Sequence, residues 1–219
     1  MCRAADSCTE LGTDPAQWSK NAPLMPPVYF SAVLEHFVTA YRFAEAHDLD
    51  ASLAELGKTR SEELRRWFVE HGQMSGWHHR VKALNLPKPI AYTGPLETER
   101  SIRAFEATVY ERDGYTCRYC SIKVIDTKAL LRFEKLVGFQ NFKVKGKSNQ
   151  IRHGVALVFR ATADHVIPIS FGGRTNLENL VTSCWSCNYG KYNALLEQMG
   201  VDDPRDRPVQ PLTDWNGLR

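Results

Sequence analysis

Two C-x-x-C pairs, Cys117/Cys120 and Cys184/Cys187, constrain this 219-residue chain more than any other feature. Each such turn presents two thiolates at one vertex, and two turns complete a tetrahedron, so the spacing predicts a structural Zn2+ site. Four thiolates leave no open position for a substrate, so this ion should hold the fold and perform no chemistry. A redox dithiol would account for one pair but not for two. Residues 121–183 then form a loop clamped at both ends. Cys2 and Cys8 have no comparable spacing and look unrelated to the four.

Bulk properties narrow the class. A hydrophobic fraction of 43% and a charged fraction of 24% are ordinary for a soluble globular chain. No apolar run approaches the ~18 residues of a membrane span, and no basic start followed by an apolar stretch marks a secretory signal. The reading is a cytoplasmic protein with no membrane partner. Charge is unevenly placed: residues 1–100 hold 11 Lys and Arg against 13 Asp and Glu, residues 101–219 hold 17 against 12. The basic half also holds the paired cysteines, which suits a phosphate-backbone partner.

Hydrophobic periodicity predicts a helix over 31–47 from Val33, Phe37, Ala40 and Ala44. Thr59-Arg60-Ser61-Glu62 reads as a capping box, opening a helix to about His71 with Leu64, Trp67 and Phe68 inward and Gly72 as its stop. Trp77 and Tyr92 read as core residues and the tandem His78-His79 as a surface pair. A Pro-broken stretch (Pro87, Pro89, Gly94, Pro95) marks a boundary. The expected organisation is a mainly helical region at 1–96, a second unit at 97–200 and a tail at 201–219. A helix is expected over 97–113 and another around Ala129–Val137. The apolar run Val155–Phe159 reads as a strand, Leu180–Thr182 as a second, and a helix follows from near Cys187 to Met199, stopped by Gly200.

The chemistry-bearing residues cluster near the second cysteine pair: Asp164-His165, Gly172-Gly173, Asn179, then Asn188 and Lys191. His165 can act as a general base, because an ordinary imidazole pKa of about 6.5 lies near working pH. Asp164 offers a hard oxygen suited to Mg2+ or Mn2+, and the Asn188 amide oxygen can be a second ligand. Lys191, three residues on along the same helical face, can meet a phosphate oxygen. Asn179 reads as a loop-organising residue that orients His165. A basic stretch with Lys143, Lys145, Lys147 and Arg152 is a candidate grip on a nucleic-acid backbone. A zinc base deaminase is excluded: it needs His-x-Glu and Pro-Cys-x-x-Cys, whereas His165 precedes Val166-Ile167 and Ser183 precedes Cys184.

Jointly, R-D-G-Y-T-C-R-Y-C at 112–120, D-H-V-I-P-I-S-F-G-G at 164–173, N-L-E-N-L-V at 176–181 and C-W-S-C-N-Y-G-K at 184–191 resemble the HNH endonucleases of the zinc-containing, ββα-metal type. The resemblance covers residues 103–199. It implies an α+β fold, with a ββα-metal nuclease core stapled by a four-cysteine zinc site beside the helical N-terminal region. It further implies His165 as general base, Asn179 as loop organiser, Asp164 and Asn188 as ligands of one catalytic divalent cation, and DNA, chiefly double-stranded, as substrate. Asn188 stands where many members have His, an H-N-N variant that favours hard ions. The 43 residues between Cys120 and Asp164 exceed the short hairpin of compact members, so about 121–155 reads as an insertion. Cutting both strands would be easier from a homodimer. The alternative is a non-catalytic zinc ribbon that binds nucleic acid, which shares the cysteines and the charge but has no use for Asp164, His165 or Asn188.

Overall fold

The stripe Val33, Phe37, Ala40, Ala44 is buried along α1 (Phe30–Glu45), and the burial organises the N-terminal half. This helix packs on α2 (Leu49–Gly57), which Asp48 caps by accepting the Ala51 N–H. The computed structural model describes residues 2–73, 75–86, 88–209 and 214–219, with Arg3 described by its backbone alone. Pro87 of the Pro-broken stretch lies outside them.

The expected capping box at Thr59 does not form. Thr59 is fully buried, and its hydroxyl donates to the Leu56 carbonyl to close α2. Arg60, at φ +51°, opens α3 (Ser61–Trp67) instead. The helix continues as a π-turn, Phe68–Gly72, and Leu64, Trp67 and Phe68 face inward as expected. Next come α4 (Ser75–Leu84), a passage without helix among its described residues, and α5 (Glu106–Arg112). Only the C-terminal part of the helix expected over 97–113 is helical; residues 97–101 run along the candidate site described below. The helix α6 (Thr127–Val137) is capped by Asp126 and lays Ala129, Leu130, Phe133 and Val137 on α1.

Residues 155–159 are not a strand. Residues 155–158 belong to α7 (Gly154–Val158), whose residues are all buried, and Phe159 caps its end. A short apolar run buried on every side has no period to separate helix from strand. Two features decide for helix. The His153 ring nitrogen Nδ1 accepts the Val155 N–H as a cap, and Gly154 lies so close to α3 that a Cβ would sit 2.3 Å from the Ser61 carbonyl. The strand comes later. β1 (Ala161–His165) pairs antiparallel with β2 (Leu180–Cys184), with Asp164 opposite Val181 and His165 opposite Leu180. From β2 the chain passes into α8 (Trp185–Lys191). This helix stops at Lys191 rather than reaching Met199, because Tyr192 turns to positive φ. A 3-10 turn, Leu196–Met199, follows, and Gly200 at φ +59° ends it.

The result is a mixed α+β fold with one two-stranded sheet among the described residues. Two apolar clusters support it. In one, Phe37, Phe133 and Phe142 meet at centroid distances of 4.9 to 5.4 Å, joining α1 and α6 to the stretch before α7. That core therefore crosses from the first hundred residues into the middle of the chain. Each fully buried Phe contributes about 1.5–3 kcal/mol of transfer free energy. The second cluster surrounds the sheet and the cysteine pairs.

Arg80 ties distant segments together. Its buried guanidinium donates to the carbonyls of Ser19, Ala22, Pro23 and Met199. Burial pulls it down to about 10, still charged at neutral pH. His79, expected on the surface, is also buried, at 3% exposure. Trp67 is core, Trp77 is half-buried and Tyr92 is exposed.

Candidate active site and thiol cluster

The last two residues of β1 are Asp164 and His165. Side chains alternate across a strand, and here the alternation divides labour: Asp164 faces the start of α8, while His165 faces an open cavity. That cavity, about 340 Å³, is lined by Leu96, Arg100, Asp164, His165, Pro168, Ser170, Lys191 and Asn193 among others.

Asp164 is 6% exposed and fully engaged. Its Oδ2 accepts the Tyr119 hydroxyl at 2.6 Å and lies 3.3 Å from the Lys191 ammonium. Its Oδ1 lies 3.3 Å from the Asn188 amide. Burial, and then the neighbouring carboxylate, push the Tyr119 phenol well above its ordinary value, so it stays a donor. Lys191 is buried, and it also donates to the His165 carbonyl at 2.8 Å. The ammonium therefore pins the Asp-His backbone and carboxylate together, while its side chain still borders the cavity.

His165 is oriented by a partner that sequence reading missed. Its Nε2 sits 2.9 Å from the Thr175 hydroxyl, which donates its single proton to the Glu99 carbonyl at 2.6 Å. The hydroxyl oxygen must then accept from Nε2–H. That relay fixes the tautomer and leaves Nδ1 as the basic nitrogen. Burial holds His165 below its ordinary 6.5; Asp164 opposes this and Lys191 reinforces it. The imidazole is thus neutral, and able to accept a proton, at neutral pH. Thr175 gives no signal in sequence, since a lone Thr in a Gly-rich loop suggests only a turn. Arg100 was also missed: it is exposed, lines the cavity, and supplies a cation there.

The β1–β2 connection is held by Asn179. Its Oδ1 accepts the Ile167 N–H at 2.8 Å, and its Nδ2 donates to the Ile167 and Arg174 carbonyls, both at 2.9 Å. Gly173 is obligatory because a Cβ there would lie 1.8 Å from the Ile167 carbonyl and 2.9 Å from the Asn179 Nδ2. Outside the loop, Arg112 chelates the Asp113 carboxylate and donates to the Leu177 and Leu180 carbonyls, while Asp113 accepts the Thr182 N–H. This pair docks α5 on β2.

The four cysteines of the two pairs converge: their sulfurs all lie within 4.8 Å of one another and all are buried. The Cys120 and Cys184 sulfurs are 3.8 Å apart. A tetrahedral Zn2+ with ~2.3 Å bonds separates its sulfurs by about 3.8 Å, so the donor set fits such an ion. The Cys187 N–H also donates to the Cys184 sulfur at 3.3 Å, charge-assisted once that sulfur is a thiolate. Burial pushes the Cys120 thiol up, and neighbouring thiols do the same to Cys187; a cation among them reverses that pressure. Asp164 and Asn188 likewise bring one carboxylate and one amide together, and half a turn of the amide presents its oxygen beside Oδ1. Those are hard donors suited to Mg2+ or Mn2+.

The basic stretch behaves unevenly. Lys145 and Lys147 are exposed, Lys143 lies over the Phe139 ring, and Arg152 turns inward to the Gly146 carbonyl and the Asn149 side chain. None of the four lines the His165 cavity. No helix among the described residues is long and apolar enough to cross a membrane.

Residues 154–194 match the family model described as HNH endonuclease. The matched span holds Asp164, His165, Asn179, Asn188, Lys191 and the second cysteine pair. No curated protein and no solved structure matches the chain.

Proposed function

We propose that this protein is a metal-dependent endonuclease that hydrolyses DNA phosphodiester bonds by the HNH reaction. The observation that carries the reading is a neutral, oriented imidazole on a cavity that the Asp164 carboxylate also lines, with Asn188 bonded to that carboxylate, all within the segment that matches the HNH model. β1, β2 and α8 would be the ββα-metal element, and the four-cysteine cluster its zinc staple. Residues 97–200 would form the nuclease unit, with about 121–155 inserted, 1–96 buttressing it and 201–219 as a tail.

Asp164 and Asn188 would hold the catalytic divalent cation, Mg2+ or Mn2+, which when bound neutralises charge on the phosphate and the departing oxygen. The protein's own part is proton handling and positioning. His165 Nδ1 takes a proton from water as that water's oxygen attacks phosphorus, the bond from phosphorus to the 3′ oxygen breaks, and the departing 3′ oxygen takes a proton from solvent water. Products carry a 5′-phosphate and a 3′-hydroxyl. Thr175 holds the imidazole, Asn179 holds the loop below it, and Lys191 holds Asp164. Arg100 and Lys191 offer positive charge to the phosphate, and Lys143, Lys145, Lys147 and Arg152 are proposed to follow the backbone farther out. Double-stranded DNA is the proposed substrate, with a homodimer supplying two cavities when both strands are cut. The reduced thiol pairs suit a cytoplasmic setting.

The test is nicking of supercoiled plasmid with Mg2+ or Mn2+. His165→Ala should abolish nicking and leave zinc content and fold unchanged. Equal cleavage by the variant would remove the mechanism. EDTA-insensitive DNA binding by a wild-type chain that never cleaves would favour the zinc-ribbon alternative.

A further inference from the structure

The nuclease reading uses four of the six cysteines. The remaining two do not stand alone. Cys2 and Cys8, in the N-terminal arm, meet His71 of the π-turn, with one ligand atom from each lying within 4.8 Å of the others. Cys8 Sγ is 3.5 Å from His71 Nδ1, and Cys2 Sγ is 3.5 Å from His79 Nε2 on α4. In a tetrahedral zinc site the sulfur–nitrogen edge is about 3.6 Å, from Zn–S and Zn–N bonds of ~2.3 and ~2.0–2.1 Å. The Cys8–His71 edge therefore has the length that a shared ion demands; His79 stands at that distance from Cys2 but outside the three-ligand cluster, and would complete the tetrahedron by moving toward the other two.

From this we propose that Cys2, Cys8, His71 and His79 form a second zinc site, which fastens the N-terminal arm to the π-turn and α4. Three further observations support it. Cys8, His71 and His79 are all buried, with Cys8 at 1% exposure. His71, bonding through Nδ1, would turn its Nε2–H to the carboxylates of Glu10 and Glu70, at 3.8 and 3.7 Å. A carboxylate behind the far nitrogen is the usual support of a metal-bound histidine. Finally, His71 sits in a π-turn, a distortion frequent at functional sites. His79 Nε2 also lies 3.2 Å from the Cys2 carbonyl; ligation moves its proton to Nδ1. Binding releases the two thiol protons, so two thiolates, two neutral imidazoles and Zn2+ sum to zero charge, which suits a buried site. The set is closed to substrate, and its role is to hold structure. Spacing alone hides it, because the ligands come from four separate positions rather than from paired turns.

Zinc stoichiometry tests the proposal without reference to nuclease activity. The full chain, tagged at its C-terminus, is purified with zinc and dialysed into excess Mg2+, so that the Asp164–Asn188 donors hold no zinc. Elemental analysis should give two zinc ions per chain, and one in Cys8→Ser and in His71→Asn. His165→Ala should keep two whether or not it cleaves DNA. In the wild-type chain, native thiol titration should find Cys2 protected until a chelator is added. One zinc in the wild type, two in Cys8→Ser, a Cys2–Cys8 disulfide in the freshly purified chain, or Cys2 reactivity indifferent to chelator would each overturn the site.

Discussion

His153 makes the stability of this protein depend on acid in a calculable way. Its ring is almost wholly buried against Phe142, at a centroid distance of 4.5 Å, and its Nδ1 must remain unprotonated to accept the Val155 N–H. Burial, and then the charge of Arg65, bring it from 6.5 down to about 3. A histidine lowered in the folded state is protonated first in the unfolded chain. Its stabilising effect is therefore complete above about pH 6.5 and is lost as pH falls toward 3. At pH 5 the folded ring is still neutral, so the loss is set by the unfolded value: about 1.5 pH units at 1.36 kcal/mol each, or roughly 2 kcal/mol. For a chain of this length that lowers Tm by about 4–8 °C. The assay is urea or thermal unfolding at pH 8, 6.5 and 5 for the wild type and His153→Asn. The asparagine can still cap α7 and does not titrate. The variant should be less stable at pH 8, through lost packing on Phe142, yet its stability should fall about 2 kcal/mol less between pH 8 and 5. The comparison also cancels metal-ligand titration common to both. Parallel pH curves for the two proteins would refute the reasoning.

Two other outcomes follow from the loop between the strands. Thr175→Val removes the acceptor of the His165 Nε2–H without changing side-chain volume much; nicking should slow by roughly 10–100-fold, the equivalent of about 1.4–2.7 kcal/mol for one buried hydrogen bond, with KM little changed. An unchanged rate would mean that Thr175 does not orient the base. Gly173→Ala should destabilise by about 1–3 kcal/mol or more in urea unfolding, because the backbone must retreat from Ile167 and loosen the Asn179 clamp. Gly57→Ala, where a Cβ meets nothing within 4 Å, is the control and should be neutral or slightly stabilising.

Residues whose partners are close in sequence, or whose chemistry is strict, were readable from the chain. The cysteine pairs converge, and Asn179 bonds the Ile167 and Arg174 backbone within its own loop. The stripe on α1 also follows from local rules, whereas the helix expected to run to Gly200 ends at Lys191 and Gly200 closes a separate 3-10 turn. Local pattern is silent where burial alone decides. Val155–Phe159 carries no period, so its helical state depends on the His153 cap and the Gly154 contact, both invisible to pattern reading. Beyond any contact with phosphate, Lys191 has partners that spacing does not reveal, Asp164 and the His165 carbonyl, brought to it by the fold. His79 looked like a surface residue because tandem histidines are polar, whereas the N-terminal arm covers it. Apart from the His153 cap, the deciding contacts are long-range and the local signal is neutral.

The reach of Arg80 has a consequence for how the molecule is made. The acceptors of this one guanidinium stand 57 to 119 positions away along the chain, before it at Ser19 to Pro23 and after it at Met199. On the ribosome the earlier acceptors emerge before the arginine and the last arrives more than a hundred residues later. The cation must wait, hydrated, until the tract beyond α8 has left the exit tunnel. Only then can the hub close, so the segments that it joins stay unpinned while the chain is still under synthesis.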